Sequence, residues 1–456
     1  MRTFDLVVIG AGPGGYEAAL DAAGRYGMRT ALVEQRELGG TCLNRGCIPT
    51  KTLLHAASVL DGLRHAGEYG VEADAVHLRS DVLQSRKNQV VEQLRGGIAM
   101  LLKQKKVQVF QGSGSILDAH TVAVQTGEEV TKLDTERILI ATGSVPVSPP
   151  IPGITLPGVM SSDQLLDRSE QPFDHLTIIG GGVIGVEFAS VYLSMGSRVT
   201  ILEALPRLIS NMDRELSQSL KMLLKKRGAD IHTDARVLGL ESGSDGRLVC
   251  RYLEKEQEQT LETDGVLVCV GRRPCTEGLF GEGFTVEMER GRIVTDADGC
   301  TSVPGVYAIG DVTGGIMLAH AATAAGRNAV ASMNRVPGPC FAQAVPACIY
   351  TEPEIASVGL TLDEAKAQGM DAESRKILTT ANGKSVLSGQ ERGMIKVVYD
   401  RKSRKILGAQ LMCARASDLV SEFTQAMVSG LTVDEMARTI RPHPTFSEAI
   451  TDAVRF

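Results

Sequence analysis

Cys42 and Cys47 are the two of nine cysteines that stand close together, in the run Gly39-Gly40-Thr41-Cys42-Leu43-Asn44-Arg45-Gly46-Cys47-Ile48-Pro49. Two thiols can store an electron pair as a bond between sulfurs, or stay apart as inert buried groups. On an ideal helix, residues five apart hold their Cα atoms roughly 8–9 Å from each other, whereas a disulfide needs about 4.4–6.8 Å. The two sulfurs can therefore meet only if the chain bends between them. Gly46 gives that freedom, and Pro49 cannot donate an intrahelical N–H, which suits a distorted first turn. The other seven cysteines (Cys250, Cys269, Cys275, Cys300, Cys340, Cys348 and Cys413) lack metal-ligand spacing and read as reduced, small core residues. No metal site is expected, and the pattern fits a reducing, cytoplasmic compartment with one special pair.

Two glycine-rich segments predict dinucleotide binding. Gly10, Gly12 and Gly15 form a GxGxxG that follows the apolar run Phe4–Ile9, and Glu34 closes the next apolar run. The first glycine makes the turn, the second lets a pyrophosphate approach the backbone, and the third lets helix pack on strand. The helix N-terminus offers N–H donors and partial positive charge to the phosphates, and the acid suits a ribose hydroxyl. The same design recurs about 170 residues later with Gly180, Gly182, Gly185 and Glu203. An acid at Glu203 favours NAD, because a carboxylate repels a 2′-phosphate. Two dinucleotides suggest one resident flavin and one exchanging nicotinamide; spacing alone leaves open which site holds which.

The segment Gly39–Lys51 (GGTCLNRGCIPTK) resembles the redox signature of the class I pyridine-nucleotide–disulfide oxidoreductases. Further resemblances run along nearly the whole chain: ATGS at Ala141–Ser144, VGRRP at Val270–Pro274, AIGD at Ala308–Asp311, and HPTFSE at His443–Glu448. The resemblance implies a Cys42–Cys47 disulfide, with Cys42 as the interchange thiol and Cys47 against the flavin. It implies that Lys51 pairs with Glu187, that Glu448 orients His443 as acid–base group, and that His443 serves the site of a second copy in a homodimer. It implies FAD on the first fingerprint (Gly10, Gly12, Gly14, Gly15, Glu34), with contacts from Thr41, Lys51, Gly114, Thr142, Gly143, Ser144, Asp311 and Ala319. It implies NAD on the second fingerprint, with Val237 and Gly271. The activity implied is oxidation of dihydrolipoyl groups on a lipoyl-carrying protein of a 2-oxoacid dehydrogenase or glycine cleavage complex. The alternative is reduction of glutathione disulfide or Hg(II). Two departures stand out: Arg45 where many relatives have Val, and Arg441 where an extra His is common.

These groups need a large α/β frame. The 456-residue chain exceeds one hydrophobic core and suggests about three domains. The net charge of −6 and the 4% of aromatic residues, with no Trp, argue against nucleic acid or an anionic membrane as partner. The longest apolar stretch, Leu176–Leu193, contains Glu187 and four glycines and reads as strand–turn–helix. Residues 55–104 read as mostly helical. Pro146, Pro149, Pro150, Pro152 and Pro157 mark a linker, and Pro337-Gly338-Pro339 marks a second boundary. The expected arrangement is two Rossmann-like domains plus a C-terminal α+β dimerisation domain. The FAD domain is expected at 1–145 and 271–338, the NAD domain at 146–270, and the dimerisation domain at 339–456.

Overall fold

The computed structural model describes residues 2–243, 245–340, 344–390 and 392–455. Leu6–Ile9 and Thr30–Glu34 are buried at every position, as strands covered on both faces must be, so both read as continuous apolar runs. They lie side by side and parallel, Ile9 opposite Val33, at the centre of a five-stranded sheet. Gln108–Gln111 flanks Thr30–Glu34, and Ile138–Ile140 flanks Leu6–Ile9. The outermost strand, Val306–Ala308, arrives from far along the chain and pairs with Ile138–Ile140. Helix α1 (Pro13–Arg25) crosses between the two central strands, with Pro13 in its first turn and Ala18, Ala19 and Ala22 buried.

Before that late strand returns, the chain builds a second parallel sheet. Its order is Val159–Ser161, Gly265–Val268, His175–Ile179, Arg198–Glu203 and Asp230–Thr233. Each parallel sheet carries an antiparallel companion, residues 113–135 in one case and 235–263 in the other. A third sheet, over residues 347–413, is antiparallel throughout and packs against the helix Ala416–Val428, whose Val420 and Phe423 are buried. The architecture is α/β with two Rossmann-like units and a C-terminal α+β unit, as expected.

The remaining helices that matter for the site are α2 (Gly40–Arg45), α3 (Cys47–Arg64), α4 (Ser80–Gln104), α5 (Ser162–Asp167), α6 (Val183–Met195) and α7 (Arg214–Lys226). Helix α6 is buried around most of its circumference, consistent with its near-uniform apolar sequence. Residues 55–104 are mostly helical, as expected, with one interruption. Residues 71–79 are non-regular and separate α3, with the short turn after it, from α4. Among the described residues no helix is long and apolar enough to cross a membrane.

Candidate active site

The bend demanded by the cysteine spacing is present. Gly39 and Gly40 adopt left-handed φ values of 96° and 59°, and α2 starts at once. Gly46, at φ −146° and ψ −111°, breaks the helix after six residues, and α3 begins at Cys47. A Cβ on Gly46 would lie 3.0 Å from the Thr41 carbonyl, so the close return of the chain suits glycine here. The break brings the Cα atoms of Cys42 and Cys47 to 4.7 Å, and the two sulfurs are bonded.

One turn into α3, Lys51 reaches the second fingerprint helix. Its Nζ donates to both carboxylate oxygens of Glu187 in α6, at 2.9 and 2.8 Å. The Glu187 side chain is 3% exposed, so its charge is compensated rather than solvated. A third group completes the junction: the Tyr350 backbone N–H donates to Glu187 Oε1 at 3.1 Å, and Lys51 Nζ sits 4.6 Å from the Tyr350 ring centre. Burial pushes the Tyr350 phenol up to about 12. Sequence reasoning missed Tyr350, because nothing local links a residue just past the first strand of the third sheet to two helices far upstream.

The two glycine fingerprints have matching geometry. A Cβ on Gly10 (φ 101°) would come within 2.3 Å of the Ala141 carbonyl oxygen, and one on Gly15 within 1.9 Å of the Gly10 carbonyl oxygen. Gly180 and Gly185 repeat these approaches at 2.5 Å to Cys269 and 2.0 Å to Gly180. By contrast, Gly12 and Gly182 have nothing within 4 Å of an added Cβ. The turn and packing glycines are filled by protein, and the middle ones face open space, which is the cradle a pyrophosphate requires. Glu34 accepts from Ala11 N (2.8 Å) and Arg36 N (2.7 Å); Glu203 accepts from Gly181 N (2.5 Å) and Leu205 N (2.7 Å). Each carboxylate is thus fixed by backbone donors, while every oxygen keeps a lone pair for a ribose hydroxyl.

One continuous cavity of about 2110 Å³ unites these features. That is more than twice the roughly 1,000 Å³ upper range of single small-molecule pockets, so it has room for more than one ligand. Its walls include Gly10, Gly12, Gly14, Glu34, Thr41, Cys42, Cys47, Lys51, Gly114, Thr142, Gly143, Ser144, Gly180, Gly182, Glu187, Glu203, Val237, Gly271, Asp311 and Ala319. The crossover segments are tied together: Ser144 Oγ donates to Asp311 Oδ2 (2.5 Å), Arg272 donates to Ser144 Oγ (2.8 Å) and its carbonyl (2.7 Å), and Thr142 Oγ1 donates to the Cys275 carbonyl (2.6 Å). Arg272 was legible only as part of a motif; its role as the tie is new from the structure.

His443 and Glu448 pair with each other but do not line this cavity. His443 Nδ1 lies 2.9 Å from Glu448 Oε1, and Thr445 N donates to Glu448 Oε2 at 2.9 Å. The backbone donor and the imidazole hold the Glu448 carboxyl below its ordinary range. The His443 side chain is 79% exposed and is not among the residues that line its own chain's disulfide cavity. Arg441 is a brace: its 4% exposed guanidinium pairs with Glu422 and donates to Thr451 Oγ1 at 2.8 Å.

The remaining cysteines need one correction. They are free, but only Cys250 and Cys413 are buried core residues, with burial pushing both thiols up to about 12. Cys269, Cys275 and Cys348 line the cavity instead.

Comparison with known proteins gives a consistent picture. Residues 4–326 match the family described as "Pyridine nucleotide-disulphide oxidoreductase", and residues 345–454 match its dimerisation domain. A dihydrolipoyl dehydrogenase of Bacillus subtilis (strain 168) is 40% identical over 99% of this chain and 97% of its own. One from Mycoplasma pneumoniae (strain ATCC 29342 / M129 / Subtype 1) is 39% identical over 99% and 98%. Among solved structures, the HOCl-induced flavoprotein disulfide reductase RclA of Escherichia coli, in its Cu(II) complex, superposes with a TM-score of 0.86. It has 31% identity, over 100% of this chain and 99% of that one.

Proposed function

This chain belongs to the pyridine nucleotide-disulphide oxidoreductase family, and on that premise we propose that it oxidises dihydrolipoyl groups to lipoyl groups while reducing NAD+ to NADH. The observation that carries this reading is the Cys42–Cys47 disulfide, set in the wall of one cavity that also contains both glycine cradles. FAD is assigned to the first cradle, held by Gly10, Gly12, Gly14, Gly15, Glu34, Thr41, Gly114, Thr142, Gly143, Ser144, Asp311 and Ala319. NAD is assigned to the second, with Gly180, Gly182, Gly185, Glu203, Val237 and Gly271. The FAD-binding part is taken as 1–145 with 271–338, the NAD-binding part as 146–270, and the dimerisation part as 339–456. When bound, FAD and NAD would supply the route by which the electron pair passes from the sulfurs to the nicotinamide.

The chain's own residues perform the sulfur and proton chemistry. His443, oriented by Glu448, accepts the proton of a substrate thiol. The resulting thiolate attacks Cys42 Sγ, the Cys42–Cys47 bond breaks, and Cys47 leaves as a thiolate. The second substrate thiol then attacks the substrate sulfur of the mixed disulfide, its proton passing to the departing Cys42 sulfur. The cyclic lipoyl disulfide closes and Cys42 is released, so two electrons pass from substrate to protein. Lys51, compensated by Glu187, supports the anionic Cys47 side of the cavity. Because His443 is exposed and does not line its own chain's cavity, we assign it to the site of a second copy. The dimerisation-domain match over 345–454 supports that homodimer. The physiological partner is then a lipoyl-carrying protein of a 2-oxoacid dehydrogenase or glycine cleavage complex.

Cys42→Ser tests the reading. It is expected to abolish dihydrolipoamide-dependent NADH formation while the purified protein keeps its FAD. Full turnover in that variant, or preference of the wild-type protein for glutathione disulfide or Hg(II) over lipoamide, would overturn it.

A further inference from the structure

Helix α2 cannot hold itself in place. Its six residues fall well short of the roughly 12–15 needed for even marginal stability alone. It is also hinged at both ends, by Gly39 and Gly40 in left-handed conformations and by the break at Gly46. While the disulfide exists, Cys42 is tethered to α3 through Cys47. Reduction removes that tether once in every catalytic cycle, and α2 must then be held by its other side chains.

Three of these do so. Leu43 is buried. Asn44 Nδ2 donates to the Leu38 and Gly40 carbonyls at 3.0 and 2.9 Å, and Asn44 Oδ1 accepts from Arg95 of α4 at 3.2 and 2.9 Å. Arg45 pairs with Glu37 at 2.5 Å across the Gly39–Gly40 hinge, with 20% of its side chain exposed. The close pairing leaves little net charge to act on the sulfurs, so its effect is geometric rather than a field at the thiolates.

We propose that Arg45 is a positioning residue: its bond to Glu37 locks the hinge of α2, so that reduced Cys42 stays within bonding reach of Cys47. The inference rests on the reading of Cys42–Cys47 as the redox pair.

The test is the thiol–disulfide equilibrium of the holoenzyme in glutathione redox buffers, read by alkylating the thiols and weighing the protein. Arg45→Ala is expected to lower the equilibrium constant for the intramolecular disulfide by about fivefold, because a freer α2 lowers the effective concentration of one thiol at the other. Arg45→Lys should recover most of it, and Glu37→Gln should reproduce the loss. The combined Arg45→Ala/Glu37→Gln protein should show no further drop. The unfolding midpoint should stay with the wild type, since the pair lies outside the hydrophobic cores. Equilibrium constants within twofold of wild type in both single variants would overturn the proposal. So would a loss that Lys does not rescue or Glu37→Gln does not share. A wild-type protein that ignores dihydrolipoamide would sink the proposed substrate alone, because the glutathione equilibrium is still read in that case.

Discussion

The Lys51 ammonium and the Glu187 carboxylate lie 136 residues apart in sequence and meet through bonds of 2.9 and 2.8 Å in the wall of the disulfide cavity. The contact joins α3, which begins at Cys47, to α6, which begins at the second glycine cradle. Tyr350 adds the third sheet through its backbone N–H. All three parts of the chain are thus fastened at one ion pair.

That geometry predicts an asymmetric response to mutation. Lys51→Met strands an almost fully buried carboxylate, whereas Glu187→Gln leaves an amide that still accepts from Tyr350. Breaking a buried pair from one side costs about 3–5 kcal/mol, and with 31% of the Lys51 side chain in solvent the lower end applies. Lys51→Met should therefore lower unfolding free energy by about 3 kcal/mol, and Glu187→Gln by less. Lys51→Arg should stay near the wild type. Denaturant titration of the three proteins checks this, and equal losses from Met and Gln would contradict it.

The glycine cradles predict a separation of binding from folding. Gly12 (φ −65°) and Gly182 (φ −75°) adopt ordinary backbone conformations and face open space, so Ala fits each without strain. The added methyl instead fills the approach to a pyrophosphate. Gly12→Ala should purify folded but depleted of FAD. Gly182→Ala should keep FAD and raise the KM for NAD by about tenfold or more. Gly15→Ala, whose Cβ would sit 1.9 Å from a carbonyl oxygen, should fail to fold. Absorbance of bound flavin and steady-state kinetics separate the three outcomes.

Much of this was legible because the chemistry is local in sequence. Both fingerprints, their closing acids and the cysteine pair each lie within one strand–turn–helix unit, where spacing translates directly into geometry. The need for a bend at Gly46 followed from helix dimensions alone. What was not legible is what crosses sheets. Tyr350 and the Arg272 tie to Ser144 depend on how separately folded segments meet. The scattered cysteines misled for a related reason: Cys269, Cys275 and Cys348 look like core residues in sequence, but they sit where the protein stops and the cavity begins. The resemblance supplied the Lys51–Glu187 pairing, which no periodicity could have given.

The exposed His443 predicts complementation between two inactive chains. A homodimer of Cys42→Ser lacks the attacked sulfur, and one of His443→Ala lacks the base, with an expected loss of about 10²–10⁴-fold. In a mixed dimer, if each site takes its sulfurs from one chain and its base from the other, one site carries both defects and the other carries none. Random pairing makes about half the dimers mixed, so co-expression should restore about a quarter of wild-type turnover. If the base came from the same chain as the sulfurs, every site would have one defect and mixing would restore nothing. Differently tagged chains, purified in tandem, give the mixed dimer directly.

A further ion network joins the second parallel sheet's unit to the third sheet, and it sets a pH dependence. Asp213 caps α7 through Glu215 N at 2.8 Å, and its other oxygen pairs with Lys396 at 2.7 Å, both side chains being 8% exposed. Glu215 pairs with Lys396 at 2.9 Å and with Lys376 at 2.5 Å. Bonds from Lys376 and Lys396 hold the Glu215 carboxyl below its ordinary 4.5. Burial alone would lower the Lys396 ammonium, but Asp213 and Glu215 outweigh it and raise that group above 10.5. For Glu215 the folded state binds its proton more weakly than the unfolded state. The stability it contributes is therefore present above the unfolded value near 4.5 and lost as pH falls through the lower folded value. For Lys396 the contribution is present below 10.5 and lost only as pH rises through its raised value. Glu215→Gln should thus be less stable than wild type at about pH 7, by about 0.5–1 kcal/mol given its 41% exposed side chain. The gap should close as pH drops below 4.5. Lys396→Met should be costlier across the neutral range, because it leaves the Asp213 carboxylate buried without its cation. Denaturant midpoints of the three proteins across this pH range check the signs, and a Glu215→Gln gap that widens in acid would contradict the assignment.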